Sequence, residues 1–349
     1  MPDQTQAAVL FETGKALRIL DLVIPPLKSG QVLVDVAYSG VCHSQLNEVR
    51  GRKGPDRFLP HTLGHEGSGT VIATGEGVTK TRQGDRVVLS WLKGNGADVT
   101  GASYLSAEGP INSGAISTFM RQTITCENRV TVIPESIPLN LAALLGCAIP
   151  TGAGMVFNSS GLARGNSLAV FGAGGIGLSA IMGAVSIGVA PIIAVDIVPE
   201  KLLKALELGA THTLNPHHGD PTSAIRSITG GKGVHVAIEC AGNVLVMESA
   251  FESVMPGGGL CIVAGNPPHG ESMRINPFSL IGGKRIIGTW GGESRPDTDI
   301  PHYADMFLNG TLALQKLGTD EYPLEKINLA LDDLEAGRVV RAMIRMSDR

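Results

Sequence analysis

Residues 172–177 read Gly-Ala-Gly-Gly-Ile-Gly, the spacing G-x-G-x-x-G. In a chain with 46 glycines that match carries weight only through its surroundings. Here it follows the apolar stretch Leu168–Phe171 and opens a helical pattern. In that setting Gly172 permits the tight turn and Gly174 lets the backbone approach a pyrophosphate. Gly177 lets the helix pack closely on the strand, and the helix start around Gly175 and Ile176 offers its free N–H groups to phosphate. Asp196 follows 19 residues beyond Gly177, at the end of the next apolar run. A carboxylate there accepts hydrogen bonds from an adenosine ribose and repels a 2′-phosphate, which favours NAD over NADP. The competing reading is a capping aspartate ahead of Pro199.

Three further segments hold reactive side chains: Gly40-Val-Cys42-His43-Ser44, Gly64-His65-Glu66 and Gly146-Cys147-Ala148. Two thiols and an imidazole would suit Zn²⁺ with a fourth position left open. They lie far apart in the chain, so spacing alone does not assemble them. Each cysteine, taken singly, is more often a small buried apolar residue than a ligand, and His65 more often a structural histidine.

The elements that must position these groups fall into two textures. Up to Pro150 the chain is strand-rich and irregular: Gln31–Tyr38 alternates apolar and polar residues, and glycine-punctuated segments follow at Gly67–Ala73 and Gly84–Leu89. Residues 93–114 are polar and glycine-rich and read as an exposed loop. Beyond Pro150, strands expected near Leu168–Phe171, Ile192–Asp196, His212–Leu214, Val234–Glu239, Leu260–Ala264 and Arg285–Thr289 alternate with helical patterns. Pro199 suits a first helical turn and Gly209 a helix end. That alternation implies a doubly wound parallel sheet, and six strands complete a dinucleotide fold. The expected boundaries are a catalytic domain over 1–148, a nucleotide-binding domain over 149–289, and a return of 290–349, with a helix over Lys326–Ala336, to the first domain.

Composition excludes several classes. A net charge of −4 without a Lys/Arg run gives no attraction to nucleic acid or an anionic membrane. Residues 167–195 carry no charge, yet glycines and Pro191 break them into strand, turn, helix, turn and strand rather than a membrane span. Five scattered cysteines, an odd number, argue against a disulfide framework and for a reduced, cytoplasmic setting, and the N-terminal segment lacks the pattern of a secretory signal.

Taken in order, GVCHS, LPHTLGHEGSGTV, GDRV, LLGCAIPTG, VFGAGGIGLSAIMGA, VDIVPEKL and ELGATHTLNP resemble the medium-chain, zinc-dependent alcohol dehydrogenases over nearly the whole chain. The resemblance implies a GroES-like, partly barrelled β catalytic domain beside a Rossmann domain. It implies hydride transfer between an alcohol and NAD, reversible to the aldehyde or ketone. Cys42, His65 and Cys147 become the ligands of one catalytic zinc, and Glu66 the carboxylate that approaches the metal during ligand exchange or, nearly as well, a salt-bridge partner behind it. Ser44 becomes the hydroxyl that receives the substrate proton; the plain alternative is a turn serine bonded to its own backbone. His43 and Arg341 match pyrophosphate contacts, Thr151 and Ile176 flank the nicotinamide, Lys201 joins Asp196 at the ribose, and Trp91 falls in the substrate pocket. Relatives pair through their cofactor domains, so a homodimer or homotetramer is expected. Rival readings are a metal-free reductase of the superfamily, a polyol-type dehydrogenase and a catalytically silent NAD-binding protein.

The sequence departs from the family pattern in three places. The four close-set cysteines that hold a structural zinc in many relatives are missing from a shortened lobe, so one zinc per chain is expected. Gln45 stands where an aspartate usually orients the histidine ligand, which predicts looser metal retention. Asn47 replaces a histidine that ends the proton relay in many relatives, and asparagine does not titrate.

Overall fold

A computed structural model describes residues 3–346 of the chain. They form two compact units. The first takes the chain up to Cys147, then Arg295–Leu308 and the chain from Gly318 onward; the second takes Ala148–Ser294 and Asn309–Leu317. The C-terminal return is therefore interrupted, because Asn309–Leu317 stays with the second unit.

In the first unit, strands Gln4–Leu10, Arg18–Val23, Ser103–Ser106, Gly109–Asn112 and His61–Thr62 close a small barrel. A second sheet is built on Gln31–Gly40, which pairs antiparallel with Glu66–Thr74, Gln122–Cys126 and Ala342–Arg345. Val32, Val34 and Val36 alternate inward along Gln31–Gly40 and meet Leu331, Leu334 and Ile344 from the C-terminal return in one buried cluster. The register on Glu66–Thr74 shifts between Leu33 and Val34 and again between Val36 and Tyr38, and such bulges bend a sheet. Helix Ile327–Glu335 covers this core, within the span expected for it.

The reading of residues 93–114 as an exposed loop is corrected. The segment carries the hairpin Ser103–Ser106 and Gly109–Asn112, whose Tyr104 and Ile111 are each 1% exposed in the barrel core. Each strand sends a single large apolar residue inward, too sparse a signal to stand out from polar neighbours.

In the second unit six parallel strands run in the order His212–Leu214, Ile192–Val195, Leu168–Phe171, Val236–Glu239, Leu260–Val263, Arg285–Gly288. Numbered along this unit the order is 3-2-1-4-5-6, so the strand order reverses beside Leu168–Phe171, where doubly wound folds take their ligands. Helix Pro199–Glu207 starts on its proline, and Gly209 just past its end has φ +102°. The uncharged stretch from Ser167 resolves into strand Leu168–Phe171, helix Gly175–Ser186 and strand Ile192–Val195. Among the described residues no single helix is long and apolar enough to cross a membrane.

Candidate metal centre and dinucleotide loop

Each thiol or imidazole of the first unit sits at a junction between elements. Cys42 leaves strand Gln31–Gly40 in extended geometry (φ −106°, ψ 151°) and caps helix His43–Val49. His65 lies between His61–Thr62 and Glu66–Thr74, behind Gly64 at φ +94°. A β-carbon on Gly64 would stand 2.7 Å from the Phe119 amide nitrogen, so only glycine fits. Cys147 breaks the chain between the 3₁₀ turn Ala143–Gly146 and helix Ala148–Gly154.

These junctions bring the two Sγ atoms and a ring nitrogen within 4.8 Å of one another. His65 Nε2 lies 3.2 Å from Cys147 Sγ. Both cysteines are buried. Hydrogen bonding with Cys147, and then with His65, outweighs burial and holds the Cys42 thiol well below the usual thiol range. A thiol that ionises readily beside a second thiol and an imidazole is the donor chemistry of a zinc site, and these three residues fit that ion.

Behind the donors, Glu66 is fully buried and forms an ion pair with Arg341 Nη2. A β-carbon on Gly40 would stand 2.9 Å from that guanidinium, so Gly40 makes room for the pair. Burial pushes the Arg341 guanidinium below its ordinary range, and the Cys42 thiol beside it partly offsets this. Arg341 Nε is buried with no hydrogen-bond partner and remains a donor for an anion.

Gln45 is buried and its amide Nε2 lies against His65 Nδ1. Gln45 Oε1 is buried without a hydrogen bond. When His65 Nε2 serves as a metal donor, Nδ1 carries the ring proton, and a half-turn of the amide presents Oε1 to accept it. Ser44 Oγ lies 3.4 Å from the same Nδ1. The Trp91 ring meets His65 edge-on at a centroid distance of 6.2 Å. His43 is the exposed first residue of its helix. The Asn47 carbonyl receives the Arg52 backbone N–H, which closes the helix.

In the second unit Gly172 has φ +96°, and a β-carbon there would stand 2.9 Å from the Ala241 amide. Gly177 would collide with the Gly172 carbonyl if it carried a side chain. Gly174, by contrast, faces open space and caps helix Gly175–Ser186. The loop is thus tight wherever it packs and open where a phosphate would approach. Asp196 Oδ2 accepts the Ala173 N–H at 2.7 Å, and Oδ1 accepts the Val198 N–H at 2.9 Å. It therefore ties the glycine loop to the next strand's end and is not the cap of helix Pro199–Glu207, whose cap position is Val198. Lys201 lies half-buried in that helix's first turn and Ile176 half-buried in the first turn of Gly175–Ser186. Thr151 is 6% exposed and its Oγ1 makes no hydrogen bond. A buried, unsatisfied hydroxyl is what a polar ligand group would complete.

The structure thus brings Cys42, Ser44, His65, Glu66, Trp91 and Cys147 together, with Gln45 and Arg341 behind them. The salt-bridge alternative for Glu66 is the one the structure shows, but sequence reasoning did not name Arg341, to which it gave a separate role, as the partner. A second cluster, Glu48, Asp56 and His61, was missed entirely. The only sequence signal for it is a histidine four residues before His65.

Comparison with known proteins agrees with this architecture. Residues 28–135 match the alcohol dehydrogenase GroES-like domain and residues 175–309 the zinc-binding dehydrogenase domain. S-(hydroxymethyl)glutathione dehydrogenase of Synechocystis sp. is 33% identical over 367 residues, covering 98% of this chain and 99% of that protein. The crystal structure of an alcohol dehydrogenase zinc-binding domain protein from Burkholderia ambifaria superposes with a TM-score of 0.91 at 36% identity, covering 99% of both chains. Benzyl alcohol dehydrogenase from Acinetobacter calcoaceticus superposes with a TM-score of 0.90 at 31% identity, covering 99% of this chain and 100% of that one. With both domain families matched in order and full-length relatives above 30% identity, the chain belongs to the medium-chain, zinc-dependent alcohol dehydrogenase family and is an oxidoreductase of that type.

Proposed function

We propose that the chain oxidises a small alcohol to its aldehyde or ketone, reversibly, with NAD as hydride acceptor and one catalytic zinc held by Cys42, His65 and Cys147. The observation that carries this reading is the convergence of those three side chains beside Ser44. Zinc bound there supplies Lewis acidity that lowers the pKa of a substrate hydroxyl. Ser44 Oγ receives the substrate proton. Thr151 Oγ1 and Ile176 would hold the nicotinamide, which would supply the hydride acceptor. Gly172–Gly177 and the helix start at Gly175 take the pyrophosphate, and the family resemblance adds His43 and Arg341 as contacts to it. Asp196 and Lys201 take the adenosine ribose; the carboxylate disfavours NADP. Glu66, held by Arg341, keeps a carboxylate in reserve for ligand exchange at the metal. Trp91 forms an aromatic wall next to His65.

A homodimer or homotetramer and a cytoplasmic location belong to the same reading. None of the five cysteines is in a disulfide among the described residues, and scattered reduced cysteines fit a reducing compartment. The test is an alcohol panel that includes benzyl alcohol and S-(hydroxymethyl)glutathione, each with NAD⁺ and NADP⁺, before and after zinc removal. The expected result is NAD⁺ reduction that disappears with the metal and returns on re-addition. Full-rate oxidation by zinc-stripped protein, or activity confined to NADP⁺, overturns the proposal.

A further inference from the structure

We propose that Glu48, Asp56 and His61 form a second divalent-cation site, of the nitrogen-and-oxygen ligand class that zinc accepts, which braces the helix carrying Ser44 and Gln45. The three residues come from different elements: Glu48 from helix His43–Val49, Asp56 from the following loop and His61 from strand His61–Thr62. Their ligand atoms all lie within 4.8 Å of one another. His61 Nε2 lies 2.7 Å from Asp56 Oδ2, a hydrogen-bond distance when the ring nitrogen is protonated, and 3.8 Å from Glu48 Oε1. Ligand atoms about 2.1 Å from a tetrahedral metal stand about 3.4 Å apart, so the observed separations bracket the required one.

The histidine adds an independent argument. His61 is 7% exposed, and its Nδ1 lies 2.9 Å from the Thr62 carbonyl, which accepts its proton. That bond leaves Nε2 as a lone pair in the neutral ring, the arrangement second-layer partners impose on metal-bound histidines. An Nε2 lone pair facing two carboxylates is repelled unless a proton or a metal ion stands between them. Lys53 Nζ meets Glu48 on its other oxygen, Oε2, at 2.7 Å. It therefore lowers the charge of the cluster without occupying the atoms that face His61.

The cluster also has room for solvent ligands. Glu48 and His61 line a cavity of about 500 Å³, which Gln45 and His65 line as well. Helix His43–Val49 has only seven residues, a length at which a helix holds its shape through tertiary contacts rather than by itself. A cation clamping Glu48 to Asp56 and His61 fixes its C-terminal half, while Cys42 fixes its start. Counting thiolates in the sequence, which gave one metal per chain, is blind to such a site.

Zinc bound per chain, measured by atomic absorption after loading and gel filtration of the full chain, tests the proposal separately from the catalytic site. Wild type is expected to hold two equivalents, His61→Asn one, Cys147→Ser one and the double variant none. A wild-type count of one that survives in His61→Asn and vanishes in Cys147→Ser means an ion pair only, and overturns the site. A count of one that survives in Cys147→Ser and vanishes in His61→Asn upholds this site and removes the catalytic zinc instead. Should His61→Asn fail to fold, Glu48→Gln on the half-exposed rim serves. Chelator competition is expected to show its second zinc bound about tenfold or more weakly. Unchanged affinity in that variant overturns the proposal.

Discussion

Replacing Gln45 by glutamate isolates what the neutral amide does behind His65. The side chain keeps its length, and an acceptor oxygen for the Nδ1 proton becomes charged. A hydrogen bond to a neutral acceptor contributes about 0.5–1.5 kcal/mol net and one to a charged acceptor about 1.5–3, so the exchange strengthens the bond by roughly 1–1.5 kcal/mol. Gln45 lies in the first turn of helix His43–Val49, which has no acidic residue there, so the helix dipole adds about 0.3–1 kcal/mol for the new anion. Gln45 is only 4% exposed, so burying the carboxylate is costly. That cost falls on the metal-free and the metal-loaded protein alike, and lowers thermal stability rather than zinc affinity. The proton on Nδ1, in contrast, is fixed in place only when Nε2 binds the metal. Zinc should therefore bind about tenfold more tightly in Gln45→Glu, since about 1.4 kcal/mol is one decade. Competition with a chromogenic chelator reads this directly. A folded Gln45→Glu protein that holds zinc no better than wild type refutes the idea that the amide limits metal retention.

Other consequences are equally direct. Thr151→Val removes a buried hydroxyl that makes no hydrogen bond, so the unfolding free energy from denaturant titration should rise by about 1 kcal/mol while kcat with NAD⁺ falls; a fall in stability would contradict it. Asp196→Ala should raise KM for NAD⁺ about tenfold or more and narrow the preference over NADP⁺, read from paired kcat/KM values. It also frees the Ala173 and Val198 N–H groups, so a loss of about 1–3 kcal/mol in unfolding free energy should accompany it. Glu127→Ala leaves the Thr79, Lys80 and Ala97 amides without their acceptor and should cost about 1–3 kcal/mol. Burial raises the Glu127 pKa, but the backbone N–H bonds from Ala97, Lys80 and Thr79 outweigh it and leave the group below its ordinary value. The folded state thus binds the proton more weakly than the unfolded chain. The stabilisation is complete above about pH 4.3, the ordinary glutamate range, and fades as pH falls through the lower folded value. Urea titrations of wild type and Glu127→Ala should therefore converge in acid, and a gap that persists there would argue against this carboxylate.

How much the sequence revealed depended on how local the signal was. Leu168–Phe171, Gly175–Ser186 and Ile192–Val195 were legible because a buried parallel strand is an unbroken apolar run and glycine marks the turn between strand and helix. The hairpin at Ser103–Ser106 and Gly109–Asn112 was not, since one inward residue per strand leaves no period to detect. At the site, the glycine loop could be argued from backbone geometry alone. Cys42, His65 and Cys147 could not, because their proximity is made by three chain junctions far apart in sequence. Arg341 and Glu66 meet across most of the chain, and each has its own plausible partner when read singly. Glu48, Asp56 and His61 come from a helix, a loop and a strand, so no fixed spacing announces them.

Strand Ala342–Arg345 lies beside Gln31–Gly40, and Arg341 just before it neutralises Glu66. This arrangement imposes an order on events during synthesis. When Cys147 leaves the ribosome the three donors have all been made, yet Arg341 is still 194 residues away. At about 5–20 residues per second that delay is about 10–40 s. Throughout it, Gln31–Gly40 lacks the neighbour it will have on that side, and Glu66 lacks its guanidinium. The second unit draws its six-stranded sheet wholly from the intervening stretch, so that sheet can form before the first unit is finished. The donor set is therefore translated well before the segment that brings Arg341 to Glu66.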